Sequence, residues 1–509
     1  MSEESTNKSR SQESNEDRLR KLEELKNEKI NPYPYNYEVN GYASEIKEKY
    51  NSLNSEEKTK DKFSVAGRII LFRRMGKATF MTLRDNTGDI QVYIRSDNVG
   101  EKAYSLIKKL DLGDFVGTEG VIFRTKMGEI SIFVDKLEIL CKAIKHLPDK
   151  YHGVQDQEIK YRKRYLDLIT NPNSKDILTK RMLILRYIRD FLNERGFLEV
   201  ETPILHTIYG GAAAKPFTTH HNVLNMDLFL RISPELYLKR LIVGGYDKVY
   251  DINKNFRNEG IDTTHNPEFT MLELYQAYAD YKDMMKITEE MFEYVSLKIN
   301  GTTKVNFKGN KIDLKAPWKR ETMLNSIKKH VKIDVSNMSE KELKEFVKKN
   351  KVEFKKEESW GNYVLAIFEH FCEDKYTNPT FIVDHPEEST PLCKKHKKDS
   401  RLIERFEPFC CGMELANAYS ELNDPIHQRK LLEDQARQLR AGDEEANPLD
   451  EDFLDAIDYG MPPTGGLGIG IDRMAMVILG QESIRDIIFF PTMRPEIKKT
   501  ETDNKKSNT

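Results

Sequence analysis

Residues 256–274 read FRNEGIDTTHNPEFTMLEL: one arginine, Arg257, among Glu259, Asp262, Glu268 and Glu273, with His265 and Phe269 between them. Charged residues on a surface need no explanation, but these stand between apolar runs, KVYDIN before and YQAYADY after. Alternation along a strand puts Arg257 and Glu259 on one face. The turn GIDTTHN leads into a second strand, EFTMLELY, in which Phe269, Met271, Glu273 and Tyr275 share a face. A surface salt bridge would account for one such pair at little energetic value. A hairpin that gathers an arginine, two glutamates, a phenylalanine and a tyrosine on one side implies a ligand. The planar fork of arginine suits phosphate or carboxylate, and an aromatic ring beside it can stack on a base. Glu268 falls on the opposite face and is assigned a structural role.

The chain of 509 residues is too long for one ordinary core, so two or three domains are expected. Hydrophobic residues make up 38% and charged residues 32%, a highly charged but globular composition. The 81 basic and 83 acidic residues nearly cancel, so the total demands no polyanionic partner and any basic surface must be local. Cys141, Cys372, Cys393, Cys410 and Cys411 form no CxxC pair, which argues against a disulfide framework and against a cysteine zinc site. The opening MSEESTNKSR resembles neither a secretory signal nor a transit peptide, and no apolar run approaches the ~18 residues that span a bilayer. A soluble, cytoplasmic protein is expected, with no membrane partner.

Residues 1–60 read as an N-terminal extension, disordered over 1–15 and then helical in EDRLRKLEELKNEK (16–29), a charged helix expected to be solvated. Residues 61–145 change character. Five short β-rich runs, FSVAGRIILF, ATFMTLRD, DIQVYIR, DFVGTEGVIFRT and EISIFVDKLEIL, are separated by turn material and suit a five-stranded barrel of the oligonucleotide-binding type. Arg68, Arg73, Arg74, Lys77, Arg84 and Arg95 are interleaved with Phe72, Phe80 and Tyr93, a mixture that offers charge to phosphates and flat surfaces to bases. Residues 146–180 read as a linker. A larger domain is expected over 181–497, and the tail 498–509 should be disordered. The helix ILTKRMLILRYIRDFLNERG carries Leu178, Met182, Leu185, Ile188 and Leu192 on one side, and the strand FLEVETPIL closes at Pro203. The later strand-like and helical runs mix without strict alternation, which favours an α/β domain built on a mainly antiparallel sheet flanked by helices.

Two further stretches carry chemistry. GGLGIGIDR (465–473) lacks dinucleotide-fingerprint spacing. Its glycines either let a helix pack on the strand or let a ligand lie against the backbone beneath Arg473. RFEPFCCGMELANAYSELND (405–424) places Glu407, Glu414 and Glu421 on strand-like segments with Asn417 and Tyr419. Glu407 and Glu414 could hold a divalent cation through oxygen, or could be two surface acids.

Together these stretches resemble the class II aminoacyl-tRNA synthetases, and within them the lysyl-tRNA synthetase family, over about residues 60–495. The helix and strand ending at Pro203, FRNEGIDTTHNPEFT and GGLGIGIDR match the three ordered class motifs; GGAAAKPF (210–217), RISPELYLKRL (231–241) and NAYSELND (417–424) match the lysine branch. Relatives that charge aspartate or asparagine tend to have S-P-Q where this chain has Ser233-Pro234-Glu235. The resemblance implies an ATP-dependent ligase that uses Mg2+, takes L-lysine and tRNA(Lys), and forms a homodimer through the first motif. It implies Arg257 on the α-phosphate and the lysine carboxylate, Arg473 on the γ-phosphate, and Phe269 on adenine. Glu259, His265 and Asn266 are implied as further ATP contacts, and Glu407 and Glu414 as magnesium ligands. For lysine it implies Gly211 and Glu235 at the α-amino group, Asn417 at the carboxylate, Tyr275 and Glu421 at the ε-ammonium, and Glu273 and Tyr419 along the wall. In the barrel it implies Phe80, Gln91 and Glu129 at the anticodon. Eukaryotic relatives often carry a lysine-rich N-terminal extension; here residues 1–30 hold seven basic and eight acidic residues.

Overall fold

A computed structural model describes residues 14–148, 156–354, 357–443 and 446–496. The chain divides into two compact units, Met1–Gly153 and Val154–Thr509. Among the described residues no helix is long and apolar enough to cross a membrane, and all five cysteines are free thiols.

In the first unit, strands β1 (Lys58–Met75), β2 (Ala78–Arg84), β3 (Asp89–Arg95), β4 (Phe115–Arg124) and β5 (Ile130–Cys141) close into a barrel in the order β1-β2-β3-β5-β4. The alternation read from the sequence is literal: every second residue of β2 and β3 is buried. Met81, Leu83, Ile90, Val92 and Ile94 fill the interior with Ile69, Ile122 and Ile132.

The expectation of a solvated N-terminal helix is corrected. The helix Asn15–Asn27, opened by a capping box between Ser14 and Asp17, buries Arg18, Leu22 and Leu25 while Leu19 stays exposed. Arg18 donates to the carbonyls of Leu112 (3.0 Å), Ala143 (3.1 Å) and Lys145 (3.3 Å), and Lys21 pairs with Asp111 at 2.6 Å. A long arginine stem can lie in an apolar seam while its fork satisfies loop carbonyls, which an apolar periodicity count does not register. Of the segments expected to be disordered, 1–15 and 498–509, all but Ser14 and Asn15 lie outside the described residues.

The second unit begins before residue 181. Within the expected linker stand the helices Gln157–Arg162 and Arg164–Thr170, and the helix Pro172–Asn193 runs through position 180. Arg164, fully buried, donates to the carbonyls of Phe489 (3.0 Å), Arg485 (2.6 Å) and Ile488 (3.1 Å), tying this segment to the C-terminal end of the unit. In the helix Pro172–Asn193 the face toward the core is Ile177, Leu178, Ile184, Ile188, Phe191 and Leu192, whereas Met182 is exposed. Arg181 takes an inward position because Asp472 (2.8 Å) and the Thr270 hydroxyl (2.9 Å) meet it there.

The expected strand FLEVETPIL forms only as β6 (Leu198–Glu199) and β7 (Leu205–His206). Then come β8 (Phe217–His221), β9 (Met226–Leu230), β10 (Lys248–Phe256), β11 (Glu268–Ala277), β12 (Lys304–Phe307), β13 (Asn310–Asp313) and β14 (Lys319–Thr322). The last are β15 (Thr380–Pro386), β16 (Leu402–Cys410), β17 (Met413–Glu414), β18 (Ala416–Ser420) and β19 (Thr464–Gly470). The main sheet has the order β14-β15-β16-β18-β19-β11-β10-β6, with β17 paired to β16. Only its outermost pairs, β14 with β15 and β10 with β6, are parallel. The helices Pro172–Asn193, Tyr281–Asn300 and Ile471–Leu479 share one apolar core with this sheet, including Leu272, Leu274, Leu467 and Ile469. Alternation then turns Phe269, Met271, Glu273 and Tyr275 of β11 to the opposite face, where the sheet floors a cleft.

Candidate active site

Every residue of the second unit assigned above to ATP, lysine or magnesium lines one cleft of about 2320 Å³. Its geometry begins with the hairpin β10–β11, in which Asp251 opposes Glu273 and Asn255 opposes Phe269. Strand β10 ends at Phe256, so strand alternation does not place Arg257 and Glu259 on one face. Instead the Arg257 N–H donates to the Pro267 carbonyl (2.9 Å), and the Glu259 N–H turns back to the Arg257 carbonyl (2.9 Å) with the Glu259 side chain exposed. The Arg257 guanidinium stands 5.2 Å from the centre of the Phe269 ring. Burial holds its pKa below the usual arginine range against the pull of Glu259, Glu414 and Glu273, and its buried Nε has no hydrogen-bond partner. An arginine in that condition is set to receive an anion.

Arg473, at the start of the helix Ile471–Leu479, donates to the Glu414 carbonyl (2.9 Å), to Glu414 Oε2 (3.3 Å) and to His265 Nε2 (3.0 Å). Arginine has no acceptor, so Nε2 must accept, and the ring proton sits on Nδ1, 2.8 Å from Asp262 Oδ2. Burial raises the Asp262 carboxyl, but the Thr264 N–H and His265 outweigh it and bring the pKa down to about 2. Asn266 is placed differently from its neighbours: its amide donates to the Glu268 carbonyl (2.6 Å) and accepts from the Thr492 N–H (3.1 Å), so it fastens the loop. Glu268, exposed, lies 3.7 Å from Lys254.

Glu407 on β16 and Glu414 on β17 are half-buried on adjacent strands. Burial, followed by the charge of Glu407, raises the Glu414 pKa, with Arg473 opposing. Nearby Glu373 is pushed up to about 8 by burial and by Glu369, Glu407 and Glu414. Among the described residues no group of three or more histidine, cysteine or acidic side chains could hold a metal ion alone. The protein offers two facing carboxylates, a donor set suited to Mg2+ that keeps water and phosphate oxygens as its other ligands. Arg405 donates to both Glu407 and the Asn417 carbonyl oxygen (2.8 Å), fixing both side chains.

At the far end of the cleft stand three buried carboxylates, Glu235, Glu273 and Glu421, and a buried ammonium, Lys239, that lies against Glu235 and Glu421. Lys239 Nζ donates to Glu235 Oε1 (2.7 Å) and forms an ion pair with Glu421 Oε2, while neither Glu421 oxygen has a hydrogen-bond partner. The Tyr419 hydroxyl donates to Glu235 Oε1 (2.6 Å). Ser233 donates to both oxygens of Glu273 (2.8 and 3.1 Å), and Tyr275 reaches it at 3.4 Å. Burial, then the charge of Glu235, pushes Glu273 up to about 8, and burial drives Glu421 well above the carboxylate range despite Lys239.

The glycines of β19 let the packed helix close on one face of the strand, as one reading had it, and let pocket side chains close on the other. A Cβ at Gly465 would press on Asp280 and Met284 of the packed helix at 3.1 Å. A Cβ at Gly466 would collide with Glu421 Oε1 and come within 2.6 Å of Tyr275. Gly211 has φ +85°, and a Cβ there would meet Ser233 Oγ and Glu235 Cβ, both at 2.9 Å.

In the barrel, Phe80 and Tyr93 oppose each other across β2 and β3 and stack at 4.5 Å, with Phe123 and Phe133 beside Tyr93. Gln91 Oε1 accepts from Ser131 (2.9 Å), and Glu129 pairs with Lys47 at 3.1 Å. The six basic residues do not form one patch. Arg84 is bonded to Asp89, Arg95 to Asp97 and Arg68 to the Gly113 carbonyl, whereas Arg73 is exposed opposite Phe80.

Lys239, Arg405 and Ser233 escaped the sequence reading as functional residues. The available signal for Lys239 was its position four residues after Glu235 on one helix, Glu235–Val243.

Residues 156–494 match the family model of tRNA synthetases class II (D, K and N), and residues 63–140 match that of the OB-fold nucleic acid binding domain. The chain is 50% identical over 481 residues to a lysine–tRNA ligase of Pelotomaculum thermopropionicum, covering 94% of each. It is 49% identical over 484 residues to one of Clostridium novyi, again covering 94% of each. With one of Moorella thermoacetica it shares 50% over 480 residues, 94% of this chain and 97% of the other. A cleft that joins an aromatic-backed arginine to an acidic pocket, a separate five-stranded barrel and likeness along nearly the whole length agree: the chain belongs to the lysine–tRNA ligases of the class II tRNA synthetases.

Proposed function

We propose that the chain activates L-lysine with ATP to lysyl-adenylate and pyrophosphate, then transfers lysine to the 3′ end of tRNA(Lys). The observation that carries this reading is the pocket of three carboxylates against one internal ammonium, next to Arg257 and Phe269. Two substrate ammonium groups, the α and the ε, are what such a pocket lacks. A carboxylate side chain in their place would be repelled by Glu421, and a neutral one would leave buried Glu421 only its share of Lys239.

In the first step a lysine carboxylate oxygen attacks the α-phosphorus of ATP, and the bond to the β-phosphate oxygen breaks. Arg257 binds that carboxylate and the α-phosphate and answers the charge developing between them. Phe269 stacks on adenine, Arg473 takes the γ-phosphate, and Glu259 and His265 complete the nucleotide contacts. Arg473 must then give up part of its bonding to Glu414 and His265. Glu407 and Glu414 would hold Mg2+, which when bound offsets charge on the phosphate chain. Asn417, with its oxygen taken by Arg405, offers its N–H donors to the lysine carboxylate. In the second step the 3′ hydroxyl of the terminal adenosine attacks the adenylate carbonyl and AMP leaves. No side chain acts as nucleophile; positioning carries the rate.

The barrel serves as the anticodon reader, with Phe80 stacking on a base and Gln91 and Glu129 at base edges. The working form is a homodimer through the first motif, in the cytoplasm. ATP–pyrophosphate exchange with each of the twenty amino acids tests the central reading: lysine alone is expected to drive it, and exchange with aspartate instead of lysine would end it. For the barrel, Phe80→Ala is expected to raise the KM for tRNA about 10-fold without changing lysine-dependent exchange; unchanged charging kinetics would remove Phe80 from the interface.

A further inference from the structure

Lys239 is fully buried and touches no solvent, yet it lies against two of the three carboxylates of the pocket. The groups around it are Glu235, one turn earlier on its own helix; Glu421, just past β18; Tyr419, whose ring is 5.6 Å away and whose hydroxyl shares Glu235 Oε1; and the Cys393 thiol, bridged to Glu421 through the backbone. Phe453, 6.0 Å away, is the apolar side of its cage. Glu273 and Tyr275 stand next in line. A buried lysine is costly unless it is paired, and one that pairs with two carboxylates leaves both partly satisfied rather than either one fully.

We propose that Lys239 is a positioning residue that sets the charge of the amino-acid subsite. By bridging Glu235 and Glu421 it offsets one carboxylate of the pocket and leaves the charge of the other two to a substrate with two ammonium groups. This rests on the reading of the cleft as a lysine site. With the substrate in place the balance is explicit: Glu235, Glu273 and Glu421 bring three negative charges, Lys239 supplies one positive charge, and the α- and ε-ammonium groups supply the other two. The substrate carboxylate is left for Arg257. Without Lys239, Glu421 loses the cation that opposes the effect of its burial, and a proton held there more tightly would compete with the substrate.

The test is lysine-dependent ATP–pyrophosphate exchange from pH 6 to pH 9 with Lys239→Met and Lys239→Arg, the KM for ATP serving as a check on the fold. Lys239→Met is expected to raise the lysine KM by about 10²-fold with a much smaller change in kcat. Its kcat/KM for lysine should recover toward high pH, where the trapped proton leaves. Lys239→Arg, which keeps the charge, is expected to retain the wild-type pH profile even if the tighter fit raises KM. A folded Lys239→Met with wild-type KM and pH profile would overturn the proposal. If that variant does not fold, a Lys239→Arg profile displaced to high pH overturns it instead. Failure of the wild-type protein to exchange with lysine would strike the lysine reading itself, whereas intact wild-type exchange with an indifferent Lys239→Met strikes only the role of Lys239.

Discussion

Two clusters of buried charge, one in each unit, look alike in composition and differ in completeness. In the barrel unit, Asp111 and Asp114 face Lys21 and Lys142, two against two. Every carboxylate oxygen is used. Lys21 and Lys142 share Asp111, while Asp114 takes Lys142 at 2.8 Å and the N–H groups of Ala143 and Asp111, each at 2.8 Å. Burial pushes the Asp111 carboxyl up, but hydrogen bonds from Lys142 and Lys21 outweigh it and hold it below the usual range. In the cleft, Glu235 and Glu421 share Lys239, Glu273 is held by Ser233, and neither oxygen of Glu421 has a hydrogen bond. The first cluster is finished by the fold itself and pins the N-terminal helix to the barrel. The second is left unfinished by the fold, and the proposed substrate would finish it. Buried charge therefore distinguishes the proposed binding site from the structural cluster through its imbalance and not through its presence.

The comparison can be broken at four points. Arg257, whose buried Nε has no hydrogen-bond partner, should matter only to chemistry: Arg257→Ala is expected to lower lysine-dependent exchange by ~10³-fold or more with the melting temperature nearly unchanged. A folded variant with near-normal exchange would mean the arginine is misplaced in the mechanism. Lys142 should matter only to stability. Lys142→Met leaves two buried aspartates facing one lysine and should cost the barrel unit about 3–5 kcal/mol in denaturant unfolding, while exchange per folded molecule stays at the wild-type level. Glu421→Gln should raise the KM for lysine ~10-fold or more and leave the KM for ATP alone; an unchanged lysine KM would remove Glu421 from the ε-ammonium site.

The smallest effect sharpens the comparison through pH. The Glu273 pKa is raised from 4.5 to about 8, so its ionisation opposes folding. Stability is then full below the unfolded value near 4.5 and is lost as pH rises through about 8. Glu273→Gln removes that loss. Thermal melts should show the variant higher by about 2–4 °C at pH 9, with the difference vanishing toward pH 4. A gain that did not depend on pH would contradict an uncompensated carboxylate at this position.

Much of this was legible in the chain because period-two alternation is a local property. The barrel strands and the shared face of Phe269, Met271, Glu273 and Tyr275 followed from it. The resemblance gathered Gly211, Glu235, Asn417, Glu421 and Arg473, distant in sequence, into one place. What escaped were residues whose meaning depends on a partner far along the chain. Lys239 sits in ELYLKRLIV, where a lysine reads as the outer edge of an amphipathic helix until Glu421 is brought against it. Arg405 points to Glu407 two residues on, but also to Asn417 across the sheet. In the first unit, Arg84 and Arg95 read as a basic surface although Asp89 and Asp97 neutralise them within a few residues. The counterions were in view, and counting only the cations concealed them.

Gly466 has a consequence for inhibition. Where Glu421 and Tyr275 press on β19, the wall of the pocket is peptide backbone with no side chain, and a Cβ would strike both neighbours. An inhibitor lying along that strand would meet amide groups that the genetic code cannot alter, and a substitution at Gly466 would push on the residues that define the pocket. Resistance to such a compound would have to arise on the opposite wall or through raised expression.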